Sequence, residues 1–303
     1  MALLKAEAEK LSNNQLVSGV IDQIIERDDL FSVLPFTGVN GKAYVYNREN
    51  TLGSADFLDP NDAVNESAAT FTEVVAKLRI LAGDVDVDKF LQTTMGDTND
   101  QMAIQIAKKA KAVARAFHQT LATGDSSVNP KAFDGLPTLA AAAPNTQLVS
   151  AGTNGNALTL SMLDQLCDAV PNGADVIVMR RGTIRAFRGL LRATYGTDAV
   201  MQQLENFGRP MLTHNGIPVI MNEFLDGGED QGTNTDTCSV YALRLNELDG
   251  LHGLYGGNDA GIVVENIGTV QNKDATRIRL KWYTGLALKS SRSIARLKGV
   301  TNI

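Results

Sequence analysis

The chain has 303 residues, enough for one large domain or two modest ones, each with its own core. Its formal net charge of −6 excludes a globally basic nucleic-acid binder, and a mean hydropathy of −0.09 without a long uncharged apolar run excludes a membrane-spanning helix. Two cysteines, Cys167 and Cys238, are too few for a disulfide framework and read as small buried hydrophobes, so a soluble chain made in a reducing compartment is expected.

Residues 1–12 mix acids and bases where a signal peptide needs an apolar run, and read as a mobile arm. From Asn13 an amphipathic helix is expected, with Leu16, Val17, Val20, Ile21, Ile24 and Ile25 on one side. An apolar knot follows at Leu30, Phe31, Val33, Leu34 and Phe36, where Pro35 prevents further helix. Residues 42–48 and 73–80 alternate apolar and polar as strands do. Between them the stretch Asn47 to Thr70 is long for a hairpin connection, and such loops are usually functional or disordered. It is acidic, setting Glu49, Asp56, Asp59, Asp62 and Glu66 against Arg48 alone, and it contains no lysine. Asp84-Val-Asp-Val-Asp88 lacks the glycine turn and distal glutamate of a calcium loop and reads as a solvated strand edge.

A long helix is expected over 97–123. Met102, Ile106, Ala110, Val113, Phe117 and Leu121 recur at spacings of three and four, forming one stripe. Asp97 or Thr98 can cap its start, and Gly124 suits a left-handed stop. Lys108, Lys109, Lys111 and Arg115 make its other side basic. Residues 140–156 read as a linker. Beyond it the pattern predicts a helix over 160–170, a buried strand over 174–179, and a helix over 183–194. That second helix has Ile184, Phe187, Leu190 and Leu191 inward and Arg181, Arg185, Arg188 and Arg192 outward. Strands are expected at 217–222, 239–245 and 261–266, with a protruding Gly/Asp/Asn loop at 226–237. In the last clear strand Arg277, Arg279 and Lys281 alternate with Ile278, Leu280 and Trp282, so one face is core and the other positive. Lys289, Arg292, Arg296 and Lys298 continue this basic tail, and no acid follows Asp274.

Catalytic signatures are sparse. His118, His214 and His252 stand far apart without metal-ligand spacing, neither cysteine is in a CxxC pair, and no GxSxG, P-loop or GxGxxG motif occurs. Gly152–Gly155 and Gly253–Gly257 lack the strand-to-helix setting that cradles phosphate. No enzyme activity, cofactor or metal is expected.

The order of parts nevertheless resembles a known family. Gly19-Val-Ile-Asp-Gln-Ile-Ile25 leads into Leu34-Pro-Phe36, and an extended two-stranded loop and an Ala-rich helix follow. Next come Gly124-Asp and Phe133-Asp-Gly135, then Phe207-Gly-Arg-Pro-Met-Leu-Thr-His-Asn-Gly-Ile-Pro218, and finally a strand with Arg277 and Gly285. This is similar to the major capsid proteins of tailed bacteriophages, whose shell has the Hong Kong 97-like fold, of α+β class. The resemblance implies an N-arm at 1–36, an extended loop at 37–83, a peripheral domain at 84–143 carrying the spine helix, an axial domain at 144–268, and a return strand at 269–303 completing the peripheral domain. It implies hexamers and pentamers in an icosahedral virion shell, assembled in the host cytoplasm around double-stranded DNA. The expected partners are portal, separate scaffold and decoration proteins, with no membrane. The type member's lysine-to-asparagine cross-link is not expected, because the loop tip has no lysine. A cleaved N-terminal scaffolding segment is not expected either, since about 36 residues precede the loop. An encapsulin nanocompartment is the alternative within the same fold, and a soluble enzyme with an unrecognised site the remote one. Two surfaces could receive the acidic tip of a neighbour or face the lumen: Arg277, Arg279 and Lys281, or Lys108, Lys109, Lys111 and Arg115. The spine stripe should pack on Ile278, Leu280 and Trp282.

Overall fold

A computed structural model describes residues 28–60, 62–94, 100–195, 201–203, 210–257 and 261–303. The expected arm helix from Asn13, the caps Asp97 and Thr98, and the 207–209 part of the quoted Phe207 motif lie outside these residues. In chain order the elements are strands β1 (Phe36–Val39), β2 (Ala43–Thr51), β3 (Thr70–Lys77) and β4 (Arg79–Asp88), followed by helices α1 (Lys89–Thr94), α2 (Gln101–Thr123) and α3 (Leu136–Ala141). Then come β5 (Leu148–Ser150), α4 (Leu160–Asp168), β6 (Val176–Met179), α5 (Arg181–Tyr195), β7 (Met201–Gln203), β8 (Pro210–His214) and β9 (Ile217–Met221). Last are β10 (Glu229–Gln231), β11 (Asn234–Leu243), β12 (Leu251–Gly256), β13 (Val263–Thr269), β14 (Ala275–Leu288) and β15 (Ile294–Val300).

Helix α2 starts later than the expected 97. Asp100 is its cap, its carboxylate accepting from the backbone N–H of Met102 at 2.9 Å and of Ala103 at 3.2 Å. Its 23 residues span about 35 Å at 1.5 Å per residue. Gly124 ends it for a different reason from the one expected. Its φ is −63°, and a Cβ there would stand 2.4 Å from the Thr120 carbonyl oxygen and 2.5 Å from that of Phe133. Close approach of the returning chain demands the glycine.

Two sheets and a ribbon organise the chain. Strand β14 pairs antiparallel with β4 along residues 275–284, and on its other edge with β13 and then β12, to which β1 adds in parallel. The eight-stranded sheet runs β5-β15-β11-β6-β9-β8-β7, with β10 on β11. Alternation assigns its two faces to two cores. Val176, Val178, Ile220, Tyr241, Leu243 and Ile294 face one way and share a core with Phe117, Leu121, Leu136, Trp282 and Leu286. Ile177, Met179, Val219, Val240, Ala242, Ala295 and Leu297 face the other way, onto Leu163 and Leu166 of α4 and Ile184, Phe187 and Leu191 of α5. A smaller core joins Val113 to Ile278, Leu280, Val85 and Val87, with Met102, Ile106 and Ala110 packed against it.

Several expectations are corrected. The chain does not change sheets at 268. Strands β12 and β13 (251–269) belong to the β14 sheet, because β13 folds back on β14 as a hairpin through residues 270–274. Strand β15 leaves that sheet to lie between β5 and β11, where Ile294, Ala295 and Leu297 are buried on both faces. The 140–156 linker contains β5, which pairs with β15. The 226–237 loop is the β10–β11 hairpin, turned at Gly232 with φ +63°. It sits over Arg296, which pairs with Glu229 at 2.9 Å. The 73–80 strand divides at Leu78, whose N–H bonds the Lys42 carbonyl.

Candidate functional site

Strands β2 and β3 form the separate two-stranded ribbon, paired from Ala43–Lys77 to Thr51–Thr70. Regular strand continues beyond the expected Asn47, so the irregular part is 52–69. The hairpin stays closed there: the Thr51 and Thr70 hydroxyls meet at 2.6 Å, and the Ser54 N–H donates to Ser67 Oγ at 2.7 Å. Its turn is set by the Asp62 N–H donating to the Asp59 carbonyl at 3.0 Å and the Asp59 N–H to the Asp62 carboxylate at 2.9 Å.

One ribbon face lies on the body. Tyr46 donates to the Leu288 carbonyl at 2.6 Å, and burial pushes its phenol above the usual tyrosine value. Arg48 is the one cation of the loop taken from the sequence as an inter-subunit contact. Its guanidinium instead donates to the carbonyls of Lys289 (2.7 Å) and Leu288, clamping the ribbon to the end of β14. The opposite face and the tip are open. Glu49, Asp56, Asp59, Asp62 and Glu66 are all exposed, as are Val45, Leu52, Phe57, Leu58, Val64, Phe71 and Val75. Phe57 makes the point numerically, being 107% exposed. Apolar groups left in water along a projecting ribbon make it the candidate interaction surface. Sequence reasoning counted the tip's charges and passed over its apolar residues, although Phe57-Leu58 in so polar a stretch was a visible signal.

The expected basic face of β14 is already occupied. Arg277 forks onto Asp86 (2.6 and 2.7 Å), Arg279 onto Asp84 (2.7 and 2.8 Å), and Lys281 reaches Glu265 at 2.6 Å. The hydrogen bonds from these arginines hold the Asp84 and Asp86 carboxyls below their ordinary values, and that from Lys281 does the same for Glu265. The Asp84–Asp88 run is therefore neither a bare solvated edge nor a cation site. It is the acidic half of a cross-strand ladder, with Asp88 capping α1 through the Phe90 N–H at 2.8 Å. Register explains the pairing, since Arg277 stands opposite Asp86 and Arg279 opposite Asp84.

The basic side of the spine is likewise engaged. Lys109 lays its stem across Gly83, where a Cβ would come within 2.3 Å of Cε. Its ammonium helps to keep Asp84 ionised. Lys108, Lys111 and Arg115 each have interactions within the chain. On the apolar side Phe117 is fully buried, its ring centroid 4.6 Å from that of Trp282 and 5.4 Å from that of Phe133.

The histidines are structural. His118 Nδ1 lies 2.7 Å from the carboxylate of Asp28, whose side chain is 1% exposed, and His214 bonds Asp164 at 2.9 Å. Burial lowers the pKa of His252 and raises that of both cysteines, Cys167 to about 11, which disfavours the reactive thiolate. Among the described residues no group of three or more His, Cys, Asp or Glu could hold a metal, and no helix is long and apolar enough to cross a membrane.

Models of protein families and curated proteins give no match to this chain. Solved structures do. The encapsulin of the holo-SrpI complex from Synechococcus elongatus PCC 7942 is 22% identical, with a TM-score of 0.72 over 99% of this chain and 96% of that one. The capsid of Cyanophage A-1(L) is 15% identical, with a TM-score of 0.69 over 96% and 98%. That of an empty GTA particle is 16% identical, with a TM-score of 0.63 over 98% of each chain. The chain has the Hong Kong 97-like shell fold. In the terms of that fold α2 is the spine helix and the β2–β3 ribbon the extended loop. The likeness runs over both sheets and the ribbon, so it is one of whole architecture rather than of a shared local motif.

Proposed function

We propose that this chain is the major capsid protein of a tailed bacteriophage, a structural subunit that assembles into hexamers and pentamers of an icosahedral shell around double-stranded DNA. The observation that carries this reading is an arm whose tip leaves its apolar and acidic side chains exposed among the described residues, on a fold shared end to end with shell proteins. In this reading the five-stranded sheet with the spine forms the peripheral part and the eight-stranded sheet the axial part. Portal, scaffold and decoration proteins would be its further partners. The exposed Glu49, Asp56, Asp59, Asp62 and Glu66 would meet a neighbouring copy, and opposed charges there would set register and orientation more than affinity.

A second reading, an encapsulin-type compartment, is favoured by the likeness to the Synechococcus shell at 22% identity. Negative-stain microscopy of the purified chain tests both, with hollow closed particles expected. Material eluting only as a monomer, both alone and when co-expressed with a scaffold protein, would refute shell building. Nuclease-protected double-stranded DNA inside particles taken from infected cells supports the capsid reading, whereas a co-purifying protein cargo without DNA supports the compartment.

A further inference from the structure

At the root of the ribbon lies a cleft of about 770 Å³, lined by Tyr46–Asn50 and Leu52 on one side and by Leu248, Asp249 and Lys289–Arg292 on the other. Its charge is positive. Arg48, Lys289 and Arg292 face only Glu49 and Asp249, and Asp249 is already paired with Arg244 at 3.0 Å. The Arg292 side chain is exposed and has no partner among the described residues. Lys289 has its ammonium 5.4 Å from the Tyr44 ring centroid, a contact that leaves its N–H donors free. Leu248 adds an apolar wall that is 81% exposed. An occupant should therefore be anionic and carry a large apolar group.

The ribbon tip has this chemistry, with Asp56 and Asp59 flanking Phe57 and Leu58. It cannot enter its own cleft. From Arg48 the hairpin, closed by the Thr51–Thr70 and Ser54–Ser67 bonds, carries Asp59 away from the root, by at most about 35 Å at the 3.2–3.4 Å per residue of extended chain. A free nucleic-acid phosphate would satisfy the cations but leave Leu52 and Leu248 in water. We propose that the cleft receives the ribbon tip of a second copy of this chain, Asp59 meeting Arg292 and Asp56 meeting Lys289 while Phe57 covers Leu248. The inference rests on the shell-building reading and adds the receptor, which neither basic surface expected from the sequence supplies. Tip and root are different surfaces, so the contact is head-to-tail and closes into a ring or propagates as a chain.

Copies carrying Asp59→Cys are co-assembled with mass-tagged copies carrying Arg292→Cys, oxidised with glutathione disulfide and resolved without reductant. Both copies also carry Cys167→Ser, and the remaining native thiol, Cys238, is buried. A band at the summed mass of one tagged and one untagged chain is expected, because a disulfide needs Cα atoms within about 7 Å. It should be missing when Arg279→Cys replaces Arg292→Cys. Shells without the mixed band, or a mixed band from the Arg279→Cys pair alone, would overturn the cleft as receptor and leave shell building intact. Failure of the unaltered chain to assemble would remove the shell reading itself. Should the cysteine variants not assemble, Asp59→Lys is expected to block shells and Arg292→Asp to restore them, and absence of that rescue overturns the proposal. Intact shells from Arg292→Asp, with lost DNA binding by unassembled chains, would also overturn it in favour of a phosphate site.

Discussion

Strand β14 and the ribbon are both built from alternating sequence, yet they dispose of their side chains in opposite ways. On β14 every cation of the outward face meets a carboxylate of β4 or β13, and every apolar residue of the inward face meets the spine or its neighbours. On the ribbon the root is satisfied by the body through Tyr46 and Arg48, and the tip, bonded only within its own hairpin among the described residues, leaves its apolar side chains exposed. Residues of the first kind set the stability of the folded chain. Residues of the second kind contribute little to it and are free to act between copies.

The largest effect that sharpens this contrast is expected at Phe117. Loss of a buried Phe costs about 3–5 kcal/mol, and an uncompensated charge among Trp282, Phe133 and Phe36 adds to it. Phe117→Asp should therefore give no soluble folded chain, as read by circular dichroism of the soluble fraction. Next comes Arg48→Met, which removes charged donors from two carbonyls and should loosen the ribbon root by about 1.5–3 kcal/mol. Hydrogen exchange should quicken at β2 and β3 amides and leave the eight-stranded sheet unchanged.

Acid titration probes the ladder itself. Asp84 and Asp86 are held below their ordinary value of 3.8 in the folded chain, so their contribution is fully present above that pH and is lost as pH falls through the lower folded values. Asp84→Asn with Asp86→Asn should flatten this part of the acid-unfolding curve. An unchanged curve would mean that the ladder adds no stability. The smallest effect on the unassembled chain belongs to Phe57→Ser, expected within about 0.5 kcal/mol of the parent by thermal melting, as for ordinary surface changes. Its shells should nevertheless fail or form poorly. A melting point depressed as far as that of a core variant would erase the distinction between tip and core.

Periodicity made the regular elements readable. The stripe from Met102 to Leu121 and the alternation of residues 277–282 record which side of each element faces a core, because burial imposes the period of the backbone. Local punctuation was less readable. Asp97, Thr98 and Asp100 are all competent caps, and nothing local chooses among them. Gly124 is required by the Phe133 carbonyl, which is brought up only by the fold. The candidate site was hardest to read because its partners are remote. Arg277 and Asp86 are 191 residues apart, and Arg48 and Lys289 are 241 apart, so a run of cations looked free when its acids were already assigned by register. The cleft exists only where residues 46–52 and 289–292 meet.

The clamp at Tyr46 and Arg48 also makes the ribbon a lever. Its fulcrum is the carbonyl end of β14, the strand that carries Trp282 against the spine. With at most about 35 Å from fulcrum to tip, a tilt of about 10° at the root carries the tip through up to about 6 Å, roughly two residues of strand. In a shell of the proposed kind, small adjustments of α2 against β14 would thereby be magnified into the spacing between subunits, and shell curvature would be set from inside the chain.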